Sequence, residues 1–320
     1  AYIFQRSGAT WSPVATCNNP DGTTNDLFGG AVDISGDWAL VGTRHDSFEG
    51  AYLYRLDESH VWTLQTDLPD LYGRGDFYGQ DVALKDPYAL VGGGAHAILW
   101  KRQEWDWIKQ GYLGGSADNW DLAGTRMAVH WRNILTGHGG DDTLGENAGA
   151  GWMLPLQDRN RQSELMPTNN GLHYFGSGVA VDGDRALVGA EGGNVAQDYG
   201  YCSVFARTDE YWLAQTQLVP ADPAASMRFG SAVALAGNYA AVGARSAAGS
   251  GAAYVFYFDG THWGQQVNLP PHEAYAGQDF GHAVETDGDY LLVGAPFFGI
   301  NSRGQAVGYR RAGTNWVYDN

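Results

Sequence analysis

A chain of 320 residues with 44% hydrophobic residues and 46 glycines can bury a large core while breaking it at short intervals, which excludes disorder and collagen-type repeats. Its formal charge of −17, with no cluster of basic residues to offset it, excludes binding to a phosphate backbone. No run of about 18 apolar residues could cross a membrane as a helix, and no charged and then apolar leader opens the chain, so residue 1 is expected to be a mature or trimmed end.

In chain order, "YIFQRSGATWSPVATC" (2–17) reads as two strands joined at a tight turn. A fuller pattern then opens at Phe28 with "FGGAVDISGDWALVGT" and returns as "YGQDVALKDPYALVGG" at 78, "FGSGVAVDGDRALVGA" at 175, "FGSAVALAGNYAAVGA" at 229 and "FGHAVETDGDYLLVGAP" at 280. The double gap between 78 and 175 is filled by "LAGTRMAVHWRNILTG" at 122, a divergent copy, which makes six units of roughly fifty residues. Each unit reads as four strands. Between 229 and 269 they are "GSAVALA", "YAAVGA", "AAYVFYF" and "HWGQQVNL", with apolar residues alternating at period two. "SGD", "DGD" and "AGN" mark the first turns, since Gly, Asn and Asp accept positive φ. Small Gly and Ala residues let first strands crowd around a narrow axis, so the pattern predicts an all-β propeller of four-stranded blades. The opening segment matches strands three and four of a unit. We therefore expect a single domain over 1–320 with seven blades, an N-terminal half repeat (1–25) and six full repeats, and a six-bladed ring as the alternative.

The Phe-Gly opening, the "VGA" or "VGAP" end of strand two and the "GAAYVF" strand resemble FG-GAP repeats, the units of integrin α-subunit propellers and of many bacterial surface proteins. The resemblance spans nearly the whole chain and is fullest at 280–296. It implies a propeller that is secreted, periplasmic or displayed at a cell surface. Many such repeats hold calcium in an Asp/Asn-rich first hairpin. Here that turn is only "SGDW", "DGDR", "AGNY" or "DGDY", too few oxygens for the six or more that calcium takes, so neither a metal nor another cofactor is expected. "GHGGDDTL", with Asp141 and Asp142, resembles one calcium-binding nonapeptide of the RTX type, which binds between stacked copies; a single copy occurs. Cys17 and Cys202 are expected as unpaired thiols, the alternative being a bridge.

The start of strand one and the end of strand two share a rim, and that upper rim collects the candidate binding residues. Arg44, His45 and His96 fall in loops between strands two and three. Trp120 and Tyr275 fall between blades, and Arg245 and Arg303 follow second strands. Tyr72, Arg74 and Tyr199 belong to the same rim, while His60, His130 and His262 fall at the opposite one. Trp11, Trp62, Trp107, Trp212, Trp263 and Trp316 recur at the start of fourth strands and read as repeat packing, whereas Trp120 stands outside that pattern as a stacking platform. No nucleophile elbow, phosphate loop or zinc-ligand motif is present.

The first functional reading is an extracellular recognition propeller that binds a polysaccharide or glycoprotein through these loops. The alternative is a metal-independent polysaccharide lyase acting on a uronate polymer, similar in fold and residue type to ulvan lyases. There His138, His173 and Tyr174 would serve as acid and base, and Arg228 would neutralise the carboxylate. A purely structural role is the third reading.

Overall fold

The computed structural model describes residues 1–8, 10–22, 27–45, 48–70, 78–93, 96–113, 126–140, 147–157, 162–166, 174–192, 199–209, 211–299, 301 and 303–319; for 44, 45, 48 and 49 it describes the backbone alone. The chain opens with a two-stranded sheet, β1 (Tyr2–Ser7) and β2 (Thr10–Thr16). Six four-stranded sheets follow, each with its strands neighbouring in chain order. The second sheet holds β3 (Val32–Ser35), β4 (Trp38–His45), β5 (Phe48–Leu56) and β6 (Trp62–Pro69). The third holds β7 (Asp81–Lys85), β8 (Tyr88–Gly93), β9 (His96–Gln103) and β10 (Asp106–Leu113). The fourth, from the divergent copy, holds β11 (Arg126–His130), β12 (Asn133–His138), β13 (Ala150–Pro155) and β14 (Ser163–Leu165). The fifth holds β15 (Phe175–Asp182), β16 (Arg185–Ala190), β17 (Tyr201–Thr208) and β18 (Tyr211–Leu218). The sixth holds β19 (Phe229–Ala236), β20 (Tyr239–Ala244), β21 (Ala252–Phe258) and β22 (Trp263–Leu269). The last holds β23 (Ala283–Thr286), β24 (Tyr290–Ala295), β25 (Gln305–Ala312) and β26 (Asn315–Asp319). These sheets are the blades of a β-propeller, seven in number with the first at half size, as the repeat pattern predicts. Among the described residues the one helical turn is a 3-10 turn at Ala247–Gly249. The chain forms two compact units, Ala1–Thr136 and Gly137–Asn320, divided within β12.

The first hairpins close on two residues, as the registers Ser35↔Trp38, Asp182↔Arg185 and Ala236↔Tyr239 show. The positive φ falls on the glycine of each turn, Gly36, Gly183 and Gly237. The Asp or Asn that follows does not share it, contrary to the expectation that Asp and Asn would do so, because one left-handed residue is enough to turn the strand.

What joins one sheet to the next is the Phe-Gly step. The amides of Phe175, Phe229 and Phe280 donate to Ala148 O, Tyr199 O and Ser250 O, at 3.1, 2.9 and 2.9 Å. Isolated parallel bridges join the same phenylalanines to Gly149, Gly200 and Gly251, at the start of the third strand of the preceding sheet. Their rings are fully buried; that of Phe229 meets Tyr254 edge-on at 5.3 Å. The following glycine lies against the preceding sheet so closely that a Cβ on Gly243 would stand 2.0 Å from Gly281 O. A side chain at either "VG" or "FG" glycine would therefore force neighbouring sheets apart, which is why both motifs recur together.

Half-buried carboxylates add a second tie. Asp33 Oδ2 accepts the Leu84 amide at 2.6 Å, and Asp81 Oδ2 accepts the Met127 amide at 2.6 Å. Each links the first strand of one sheet to the next sheet. Burial pushes the Asp33 carboxyl up to about 6, against the pull of the Leu84 and Ile34 amides. It pushes that of Asp81 up to about 7, against the Arg126 charge and its own amide bonds. Cys17 and Cys202 are both buried free thiols, as expected from sequence.

Candidate recognition rim

Within Gly137–Asn320 the Phe-Gly step also builds the rim. The residue before each Phe is left-handed: Tyr174 at φ 52°, Arg228 at 56° and Asp279 at 56°. Its carbonyl accepts the amide three residues on, at 3.1, 3.3 and 3.0 Å, which closes a turn at the entry to each sheet. Leu27 holds the same conformation, so the strain belongs to the repeat and does not by itself mark a site.

Three consecutive sheets place charged residues at these positions and at the residue after "VGA", where they form a ladder. Arg245 grips Glu191 with two nitrogens, Nη2 to Oε2 at 3.0 Å and Nε to Oε2 at 3.2 Å, and Arg228 Nη1 reaches Glu191 Oε1 at 3.3 Å. Arg245 Nη1 stands 3.9 Å from Asp279 Oδ2, which is also 3.9 Å from His282 Nδ1. Two of the four arginines that the sequence offers as ligand contacts, Arg228 and Arg245, are thus already held by Glu191. Sequence reasoning missed Glu191 and Asp279, and their repeat positions, directly after "VGA" and directly before "FG", are the signal that could have found them.

Beside the ladder lies an aromatic ledge. Tyr275 is 46% exposed and packs edge-on against Phe298 at 4.9 Å, while Phe297 is 52% exposed. The Phe297 amide donates to Gln278 O, which ties the two loops together, and the Gly304 amide donates to Phe298 O, which brings the backbone of exposed Arg303 beside the ledge. Arg303 makes no ion pair with a described residue. Phe297 and Phe298 were invisible in the sequence because "VGAPFF" reads as a strand end.

The other candidates divide. A Cβ on Gly139 would stand 3.6 Å from Tyr174 Cβ, and one on Gly176 would stand 2.5 Å from the His138 amide, so the backbones at His138 and Tyr174 are neighbours, while both ring nitrogens of His138 are buried. Arg228 holds Tyr174's repeat position one sheet further on. His96 is stacked on Tyr78 at 5.5 Å and paired through Nε2 with Asp70 Oδ1 at 3.2 Å, which leaves it half-buried in a packed cluster. Arg44 and His45 close β4, where their backbones pair with Glu49 and Phe48. Tyr199 packs against the core around Phe229. His173, Trp120, Tyr72, Arg74, Asp141 and Asp142 lie outside the described residues. Among the described residues no three His, Cys, Asp or Glu side chains are grouped to hold a metal ion.

Residues 11–54, 212–256 and 263–308 match the FG-GAP repeat family. Each match runs from the fourth strand of one sheet through the third strand of the next, so the sequence repeat spans the Phe-Gly junction described above. No curated protein matches the chain in sequence. Among solved structures, a Bacteroides uniformis protein provisionally assigned as a 6-phosphogluconolactonase is similar at 13% identity and a TM-score of 0.68, over 99% of this chain and 89% of that one. The protein YjhT is similar at 12% identity and a TM-score of 0.54, over 93% and 99%. At such identities the likeness is one of fold.

Proposed function

We propose that this propeller of FG-GAP repeats is a recognition module, secreted or displayed at a cell surface, that binds a glycan or glycoprotein through the upper-rim loops of Gly137–Asn320. The observation that carries the reading is the ledge of Tyr275, Phe297 and Arg303. Exposed aromatic faces beside an available guanidinium suit a sugar's C–H face together with its hydroxyl or carboxylate groups. A glycan array with the wild-type chain and with Tyr275→Ala, Phe297→Ala and Arg303→Ala variants tests it. The expected result is binding that falls at least tenfold in each variant. A blank array together with a blank pull-down of glycoproteins would overturn it.

The nearness of the His138 and Tyr174 backbones supports a second reading, a lyase that removes the C5 proton of a uronate and protonates the departing oxygen, in which the buried ring nitrogens of His138 would have to be uncovered by substrate. Arg228 would have to exchange Glu191 for the substrate carboxylate. Ultraviolet absorbance from an unsaturated uronyl product is the expected signal, and it should vanish in Tyr174→Phe. Binding without cleavage would reject the lyase and leave the recognition reading standing.

A further inference from the structure

A different cleft lies at the opposite rim, within Ala1–Thr136, between the second and third sheets. It has a volume of about 530 Å³, within the range of roughly 300–1,000 Å³ typical of small-molecule sites. Trp38 and Trp105 line it with Arg55, Arg102, Asp86 and Glu104. Trp105 sits in the two-residue turn between β9 and β10, set by the register Gln103↔Asp106, and is 68% exposed. The corresponding two-residue turns in other sheets open on Gly8, Asp209 and Gly313, the residue types that tight turns favour. A large indole held out on such a turn breaks the local rule without contributing to the core, which is the mark of a contact surface.

The charges decide what the cleft can take. The Arg55 guanidinium lies over both indoles, 4.5 Å from the Trp105 ring centre and 5.7 Å from that of Trp38. It lines the cleft and makes no ion pair with a described residue. Arg102 is spent on Asp86, with Nε to Oδ1 at 2.7 Å and Nη2 to Oδ2 at 2.8 Å, and its Nη1 on Glu104 O at 2.9 Å. A cationic ligand on the indole of Trp105 would be repelled by the Arg55 guanidinium that lies 4.5 Å from the same ring centre. An anion would meet two arginines against the three carboxylates of Asp37, Asp86 and Glu104, on a chain of net charge −17. A neutral ligand with an apolar face and many hydroxyls meets neither obstacle. Its face stacks on the open side of Trp105, and its hydroxyls accept from Arg55 and donate to Asp86 and Glu104.

We propose that this lower-rim cleft is a binding site for a neutral saccharide, specifically a pyranose with equatorial hydroxyls, whose faces are flat and carry C–H groups. The site does not depend on the upper-rim reading. The test titrates the protein with cellobiose, methyl β-glucoside and methyl β-glucuronide, followed by tryptophan fluorescence and calorimetry. Saturable binding of cellobiose and the glucoside is expected, with the glucuronide weaker. Trp105→Ala should weaken cellobiose at least tenfold and Arg55→Ala by a comparable factor, at unchanged melting temperature for the exposed Trp105 variant. Tyr275→Ala, on the other rim, should leave the titration unchanged. Absence of saturation at millimolar cellobiose, equal affinity in Trp105→Ala, or tighter binding of the glucuronide would each overturn the assignment.

Discussion

Gly243 and Gly237 belong to one hairpin and answer different demands. Gly237 turns the chain at φ 55° with open space where a Cβ would stand, whereas a Cβ on Gly243 would meet Gly281 O at 2.0 Å. Gly237→Ala should therefore cost about 1 kcal/mol, the expense of a left-handed residue with a side chain. Gly243→Ala should cost about 3 kcal/mol or more, because the clash is with a backbone atom that cannot move without shifting the next sheet. Denaturant unfolding of the two variants would measure the difference, and equal costs would refute the account of the "VG" glycine. The recurrence of both glycines is plain in the sequence. Their separate roles are not, since only the neighbouring sheet's carbonyl distinguishes them.

At the scale of the element, the Phe-Gly step is a latch, and it is not equally strong in every sheet. Phe229 is fully buried among Tyr254 and Phe256, whereas Phe28, at the same repeat position, is half-buried and leans on Tyr52 at 5.9 Å. Phe229→Ala should cost about 3–5 kcal/mol and Phe28→Ala distinctly less. Hydrogen exchange should report the same order, with fast exchange at the amide of residue 229 in its variant. A larger loss for Phe28→Ala would contradict the packing described. Strand number, strand order and the rows of fourth-strand tryptophans were legible from period-two patterning. The ladder around Glu191 was not, because its members come from three sheets and only the repeated turn before Phe-Gly aligns them.

For the molecule as a whole, Asp33 and Asp81 bind pH to stability. Both side chains keep some accessible surface, but the protein atoms crowding each carboxylate strip its hydration and set the direction of the shift. Their folded values of about 6 and 7 lie above the ordinary 3.8, so the folded state holds protons that the unfolded chain has released. The stabilisation is complete below about pH 4 and is lost as pH rises through 6 and 7. Asp81→Asn keeps an oxygen for the Met127 amide and removes the charge. Relative to wild type, its melting temperature should be higher at pH 8 than at pH 5. Comparing the two proteins at each pH removes the general relief of self-repulsion in a chain of charge −17. A difference that does not change with pH would remove these carboxylates from the account.

The sequence alone determined the all-β class, the propeller architecture, the half repeat at the start and the rim on which loops gather, because these follow from hydrophobic period and turn chemistry, both local properties. Tertiary structure decided which side chains remain available. Arg228 and Arg245 are engaged by Glu191 and His96 is enclosed by Tyr78 and Asp70, while Tyr275, Phe297 and Arg303 stand exposed. It also set Arg55 between Trp38 and Trp105, residues from two sheets that no spacing in the chain connects. Whether a charged or aromatic group is spent on a neighbour or left for a ligand depends on contacts between sheets, and those are fixed only when the strands pack.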